Sequence, residues 1–157
     1  MRRAACEIKN SETIHQILQK SHVCRLGLVK DNIPYIVPVS FGYCDNAIYF
    51  HTAQEGLKID FIAAGNIACF EIELGVGLLT EGSNPCDWGF SYQSVIGHGT
   101  IHELTDHQQK VKGLELILLQ YVEGKWPMAA QHVEHTRVWR LGIESITGKQ
   151  SEDHFCP

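Results

Sequence analysis

The stretch His51-Thr52-Ala53-Gln54-Glu55-Gly56-Leu57-Lys58-Ile59-Asp60 combines residue types and spacing that could do chemistry on a phosphorylated ligand. It reads as a strand ending at a histidine, a short glycine turn, and the start of a helix with a lysine in its first turn. A helix N-terminus leaves backbone N–H groups unpaired and carries partial positive charge, so an added lysine makes it suited to a phosphate. The spacing is not that of a Walker loop, because G-x-x-x-x-G-K-[ST] is absent. His51 can donate to a phosphate or exchange a proton near neutral pH. The same residues also describe an ordinary strand-to-helix turn with a solvated lysine and a structural histidine. The stretch alone does not choose between the two.

Other candidate groups are weaker. His98 and His102 share a strand face, yet four residues of strand span about 13 Å, too far for one metal ion. His132 and His135 could meet on a helix, but no third ligand lies near in sequence, which favours a solvated face. Trp88 and Tyr92 could wall a flat ligand or pack in a subunit interface. The six cysteines (Cys6, Cys24, Cys44, Cys69, Cys86, Cys156) show no C-x-x-C and no close pairs. They read as small buried hydrophobes in a reducing compartment, with Cys86 set apart in the loop-like stretch Ser83 to Trp88.

The elements that would position these groups belong to one domain. At 157 residues and 44% hydrophobic content the chain can bury a core without disulfides or metal. A net charge of −5 argues against a general nucleic-acid binder. No apolar run approaches the roughly 20 residues of a membrane span, and no signal peptide is evident, so a cytoplasmic location is expected. Ser11 is expected to cap a helix with Ile14, Ile17 and Leu18 on one face. Cys24 to Val29, Ile33 to Tyr43 and Ala47 to Thr52 read as three strands of a meander. Pro34 and Pro38 push the middle one to an edge or a bulge.

Gly56 to Ala64 reads as a helix with Leu57, Phe61 and Ala64 inward, and Ile67 to Leu74 as a strand. Gly75 to Cys86 reads as a loop or lid. Trp88 to Leu104 is a long strand with bend points at Gly97 and Gly99. Asp106 caps a helix carrying Val111, Leu114, Leu118 and Tyr121, and Thr136 to Ile146 is the last strand. About seven strands with interspersed helices predict a mostly β, antiparallel barrel with peripheral helices, spanning residues 1–150, with a tail over 151–157.

In this order the chain resembles the flavin-binding split barrels of the pyridoxamine-phosphate-oxidase superfamily, closest to the branch of the nitroimidazole-resistance (Nim) proteins. The resemblance is carried by Cys24-Arg25-Leu26-Gly27-Leu28-Val29 and by Pro34-Tyr35-Ile36-Val37-Pro38-Val39-Ser40-Phe41-Gly42-Tyr43. It continues through Ile48-Tyr49-Phe50-His51-Thr52-Ala53, Glu55-Gly56-Leu57-Lys58 and Cys69-Phe70-Glu71. Trp88, Tyr92-Gln93-Ser94-Val95-Ile96-Gly97-His98-Gly99 and Ile146-Thr147-Gly148-Lys149 complete it.

The resemblance implies a Greek-key-like split barrel and a homodimer with FMN in clefts at the subunit interface. The flavin ring would lie along Val39, Ser40, Phe41 and Gly42, with Gly42 allowing close approach. The ribityl-phosphate would run to His51, Thr52, Ala53 and Lys58, and the second subunit would add Trp88, Ser94 and Val95. The Ser94 position is often glutamine in the wider superfamily. The arginines that bind phosphate and substrate in the oxidase proper have no counterpart cluster here, so pyridoxamine-phosphate oxidation is not implied.

Two functional classes follow. One is an FMN-dependent oxidoreductase, with His51 as its catalytic residue, that uses a reduced nicotinamide or another donor to reduce a nitroaromatic, quinone or similar acceptor. The other is a non-catalytic flavin store or a haem-binding or haem-degrading protein, with His51, His98 or His154 as axial ligand.

Overall fold

The computed structural model describes residues 4–80 and 83–151. Expectations placed on His154, Cys156 and the tail beyond Ser151 lie outside the described residues. In chain order the elements are β1 (Glu7–Ile8), α1 (Ser11–Lys20), β2 (Cys24–Lys30), β3 (Ile33–Val39), β4 (Phe41–Cys44), β5 (Ala47–Thr52), α2 (Leu57–Ala64) and β6 (Ile67–Leu79). They continue with β7 (Gly89–Leu104), α3 (His107–Leu119), α4 (Ala130–Glu134) and β8 (Arg137–Gln150).

The described strands form one antiparallel sheet in the order β3-β2-β6-β7-β8-β5-β4, with β1 added to β8. Its two ends, β3 and β4, are consecutive in the chain and separated only by Ser40. The barrel is therefore closed by a covalent crossing rather than by a ladder, which is the split. The expected meander is corrected accordingly. The run Ile33 to Tyr43 breaks at Ser40 into two strands, and the hairpins β2–β3 and β4–β5 lie at opposite edges. Pro34 and Pro38 do sit on an edge, since β3 pairs only with β2.

Period-2 alternation sends Leu26, Phe41, Phe50, Phe70, Ile72, Val95 and Leu141 inward, where they are fully buried. The α1 cap is Asn10 rather than Ser11; its side chain accepts from the Glu12 amide at 2.9 Å. Asp106 caps α3 as expected, accepting from the Gln109 amide at 3.0 Å. The buried face of α3 runs through Gly113 and Ile117, with Leu118 turned outward. In α2 the buried residues are Phe61 and Ile62, and Leu57 is exposed, contrary to the expected face.

Helix α3 seals the split against β4 and β5. A Cβ at Gly42 would stand 2.3 Å from the Leu116 carbonyl oxygen, so the helix backbone lies directly on that glycine. The residues just past α3 then stitch the layers together. Gln120 Nε2 donates to the carbonyls of Leu18, Gln19 and Ser21, and its Oε1 accepts from the Tyr43 amide. The Tyr121 hydroxyl accepts from the Phe41 amide and donates to the His22 carbonyl.

The stretch expected to be a loop from Gly75 to Cys86 begins as β structure, over Gly75 to Leu79. β6 runs on to Leu79 and pairs with the start of β7, with a register irregularity between Leu74 and Gly77. The result is a two-stranded arm whose Val76, Leu78, Trp88 and Phe90 are exposed. The bend expected near Gly97 and Gly99 is a register shift between His98 and Gly99 against β8.

Candidate functional site

β5 and α2 build the candidate site from one continuous piece of chain. Alternation along β5 buries Phe50 and Thr52 and turns His51 outward. The chain then turns through Ala53 to Gly56, whose φ of 128° is a conformation that L side chains rarely adopt. Gly56 offers no side chain to cap α2. The Ile59 and Asp60 amides bond back to the Gly56 carbonyl, which leaves those of Leu57 and Lys58 without an acceptor among the described residues. A backbone anion site therefore opens beside the Lys58 ammonium. Among the described residues no carboxylate pairs with Lys58.

The electrostatics follow from that crowding. Partial burial lowers the Lys58 pKa from its ordinary value. His51 is exposed by area, yet enough protein crowds its ring that desolvation, reinforced by the Lys58 charge, also lowers its pKa. Its imidazole is thus neutral at pH 7, with one nitrogen able to donate and the other to accept.

Other residues expected at the site fall into three groups. Thr52 is buried, and its hydroxyl is committed to the interior: it accepts from Trp139 Nε1 at 3.0 Å and donates to the Ala53 carbonyl at 2.8 Å. Its hydroxyl proton is thereby taken up within the chain, while Ala53 is exposed at the turn. Val39 and Phe41 point into the core on either side of the exposed Ser40, so only backbone could meet a ligand there. The missing side chain of Gly42 leaves room for α3, a sufficient reason for glycine without any ligand.

Ser94 and Val95 are paired on both sides in β7, and the Val95 side chain is inside the barrel. Ser94 lies opposite Lys149 of β8 and His51 opposite Val138. These β8 positions are eleven residues apart, a strand contour of roughly 36 Å. Trp88 lies farther out, at the far end of the arm, next to Gly89, which pairs with Leu79 in its last rung. The two groups therefore do not meet through the sheet of one chain.

Sequence reasoning missed Arg137. The β5–β8 register sets it opposite Thr52, beside the turn. Its guanidinium grips Glu103 through Nε at 2.7 Å and Nη2 at 2.6 Å, donates from Nη1 to the Gln54 carbonyl at 3.4 Å, and lies 4.6 Å above the Trp139 ring. Only the Arg-x-Trp alternation, which puts both side chains on neighbouring positions of one strand face, hinted at it. No metal site is formed among the described residues by His98, His102, His132, His135 or any other group. None of the five described cysteines forms a disulfide; Cys6 and Cys24 are buried and Cys86 is exposed.

A family profile described as pyridoxamine 5′-phosphate oxidase matches residues 10–150. No curated protein matches the chain. Among solved structures, a candidate 5-nitroimidazole antibiotic resistance protein from Bacteroides thetaiotaomicron superimposes with a TM-score of 0.82 at 26% identity, over 92% of this chain and 86% of that one. The FAD and haem binding protein of Mycobacterium smegmatis gives 0.83 at 18% identity, over 96% and 76%. A flavocytochrome from Azotobacter vinelandii gives 0.80 at 20% identity, over 93% and 69%. The last two likenesses establish the fold alone.

Proposed function

The chain belongs to the pyridoxamine 5′-phosphate oxidase family, and on that premise we propose that it is an FMN-binding homodimer. We assign it the reduction of a small flat acceptor of the nitroaromatic or quinone class. The observation that carries this reading is the uncapped N-terminus of α2 beside Lys58 and His51. A phosphomonoester carries the negative charge and acceptor oxygens that free amides and an unpaired ammonium bind. Free FAD or haem propionates would use such a turn less fully. The described residues thus fit the phosphate end of FMN.

The remaining contacts are proposals of the same reading. Ser40, which belongs to neither ladder, presents backbone to the flavin between Val39 and Phe41. The partner subunit closes the cleft with the Trp88 and Ser94 region, in keeping with the distance of those residues from His51 within one chain. Val95 contributes backbone only. A second copy would cover exposed Ile36 and Ile96 on the outer sheet face together with the apolar arm. A cytoplasmic setting fits five described cysteines of which none forms a disulfide, and no helix among the described residues is long and apolar enough to cross a membrane.

Bound FMN supplies hydride or single-electron transfer. The protein binds and orients. Lys58 and the α2 amides hold the phosphate, and Trp88 offers a flat apolar wall for an aromatic acceptor. His51, neutral at pH 7, passes a proton between solvent and the site, as reduction of a quinone to a hydroquinone requires two electrons and two protons. A reduced nicotinamide is the proposed electron donor.

The test is the visible spectrum of the purified protein with added FMN and, separately, haem. Flavin bands that co-elute with a dimer are expected, followed by their bleaching with a reduced nicotinamide and recovery on adding a quinone. A haem Soret band without flavin uptake would overturn the assignment and direct attention to His51 or His98 as axial ligand.

A further inference from the structure

The turn between β5 and α2 is held from behind by a network that links three strands, and this network has a directional consequence for the amides on its front. Thr52 Oγ1 donates to the Ala53 carbonyl at 2.8 Å, and Arg137 Nη1 donates to the Gln54 carbonyl at 3.4 Å. A planar trans peptide points its carbonyl and its N–H in opposite directions. Fastening those two oxygens to the β8 side therefore turns the N–H groups of Gln54 and Glu55 the other way. Neither amide has an acceptor among the described residues. The amides of Leu57 and Lys58 lie two to four residues further along the same turn.

We propose that Arg137, held by Glu103 and stacked on Trp139, is a positioning residue that braces the Ala53–Gly56 turn so that its amides converge on the phosphate of the cofactor. The inference rests on the FMN reading above. Its parts come from distant places in the sequence. Glu103 is on β7 and fixes the guanidinium through both carboxylate oxygens. Trp139 carries the guanidinium on its ring and, through Nε1, fixes the Thr52 hydroxyl that holds Ala53. Arg137 is thereby spoken for at Nε and Nη2, so its contribution to a phosphate is orientation of backbone rather than a direct grip. Gln54 is tied a second time, through its side chain to the Glu134 carbonyl at 3.4 Å, which Lys110 also binds.

The brace and simple electrostatics predict opposite signs for one variant. Removing the Glu103 carboxylate leaves Arg137 fully charged near the phosphate, so charge alone makes Glu103→Ala bind FMN more tightly. The brace makes it bind more weakly, because the guanidinium is released and the turn must be ordered on binding. Re-ordering one residue of backbone corresponds to about tenfold in affinity.

Binding of FMN and of riboflavin, which lacks the phosphate, is therefore titrated to the wild type, Glu103→Ala, Arg137→Gln and Arg137→Lys. The expected result is FMN affinity lowered roughly tenfold in Glu103→Ala and Arg137→Gln, with riboflavin affinity within about twofold. Arg137→Lys, which keeps the charge but loses the fork and the ring contact, is expected to fall with Arg137→Gln. Tighter FMN binding by Glu103→Ala, unchanged FMN binding by all variants, or equal losses for both ligands would each overturn the brace. A variant that fails to fold is replaced by the other two, which test the same contact. If the wild type takes up neither ligand, the flavin reading itself fails, and that outcome is distinct from wild-type binding with unaffected variants.

Discussion

Substituting Gly42 by alanine tests whether that glycine serves helix packing or cofactor approach. Its added Cβ would lie 2.3 Å from the Leu116 carbonyl oxygen, 2.5 Å from its carbon and 2.7 Å from the Ile117 nitrogen. All three are backbone atoms, so no side-chain rotation relieves the clash, and α3 must retreat by about an ångström to reach ordinary contact. It cannot retreat alone. On its other flank Gly113 lets the helix close on Val138, where a Cβ would stand 2.8 Å from Cγ1, and beyond its end Gln120 and Tyr121 bond to the Tyr43 and Phe41 amides.

Overpacking of this kind costs about 1–3 kcal/mol, and weakening one or two hydrogen bonds adds about 1 kcal/mol. We expect Gly42→Ala to lose about 3 kcal/mol, which for a domain of this size lowers Tm by roughly 6–12 °C. Urea unfolding of flavin-free protein at one fixed concentration is the assay, since ligand and partner would both shift the apparent stability. A loss below about 1 kcal/mol, with FMN binding abolished, would refute the packing argument and return Gly42 to the cofactor.

Lys58→Ala is expected to weaken FMN by roughly ten- to a hundredfold, the worth of one hydrogen bond to a charged group, and to leave riboflavin unaffected; parallel titrations check this, and equal losses would remove Lys58 from the phosphate. In the free protein His51 titrates below 6.5, and Lys58→Ala raises its midpoint only part of the way, because burial is the larger cause. The sign follows for stability: with the folded pKa lowered, the unfolded chain protonates first, so the His51 contribution is full above 6.5 and falls away as pH drops through the folded value. Proton NMR of the imidazole reads both effects, and a midpoint indifferent to Lys58 would contradict the pairing. Gln120→Leu removes the group that ties three α1-end carbonyls to β4. About 2 kcal/mol of stability should go with it in a urea titration, and a loss near zero would mean that water replaces the side chain.

Much of this fold was legible because short-range physics writes it locally. Asp106 and the glycine turn at Gly56 announce helix starts through groups only a few residues away. Pro34 and Pro38 place β3 at an edge because neither can donate to a second ladder. The same locality made the candidate site readable, since His51, Gly56 and Lys58 are one strand end, one turn and one helix start. A short-range error shows the limit: Leu57, assigned inward by helical spacing, faces solvent because what covers a face is a matter of neighbours.

What the tertiary structure decided are the relations between residues far apart in the chain. Ser40 divides an apparently continuous strand because its two halves find different partners on opposite edges, a choice made by long-range pairing rather than propensity. The arm from Leu74 to Leu79 has the glycines of a loop and becomes strand because β7 supplies its ladder. Gly42 has no room for a side chain because of Leu116, and the Thr52 hydroxyl is engaged by Trp139 and the Ala53 carbonyl. Arg137 reaches the turn only through the β5–β8 register, and Glu103 reaches Arg137 only because β7 and β8 are neighbours. Local chemistry named a phosphate-sized opportunity, and sheet register decided which side chains stand behind it.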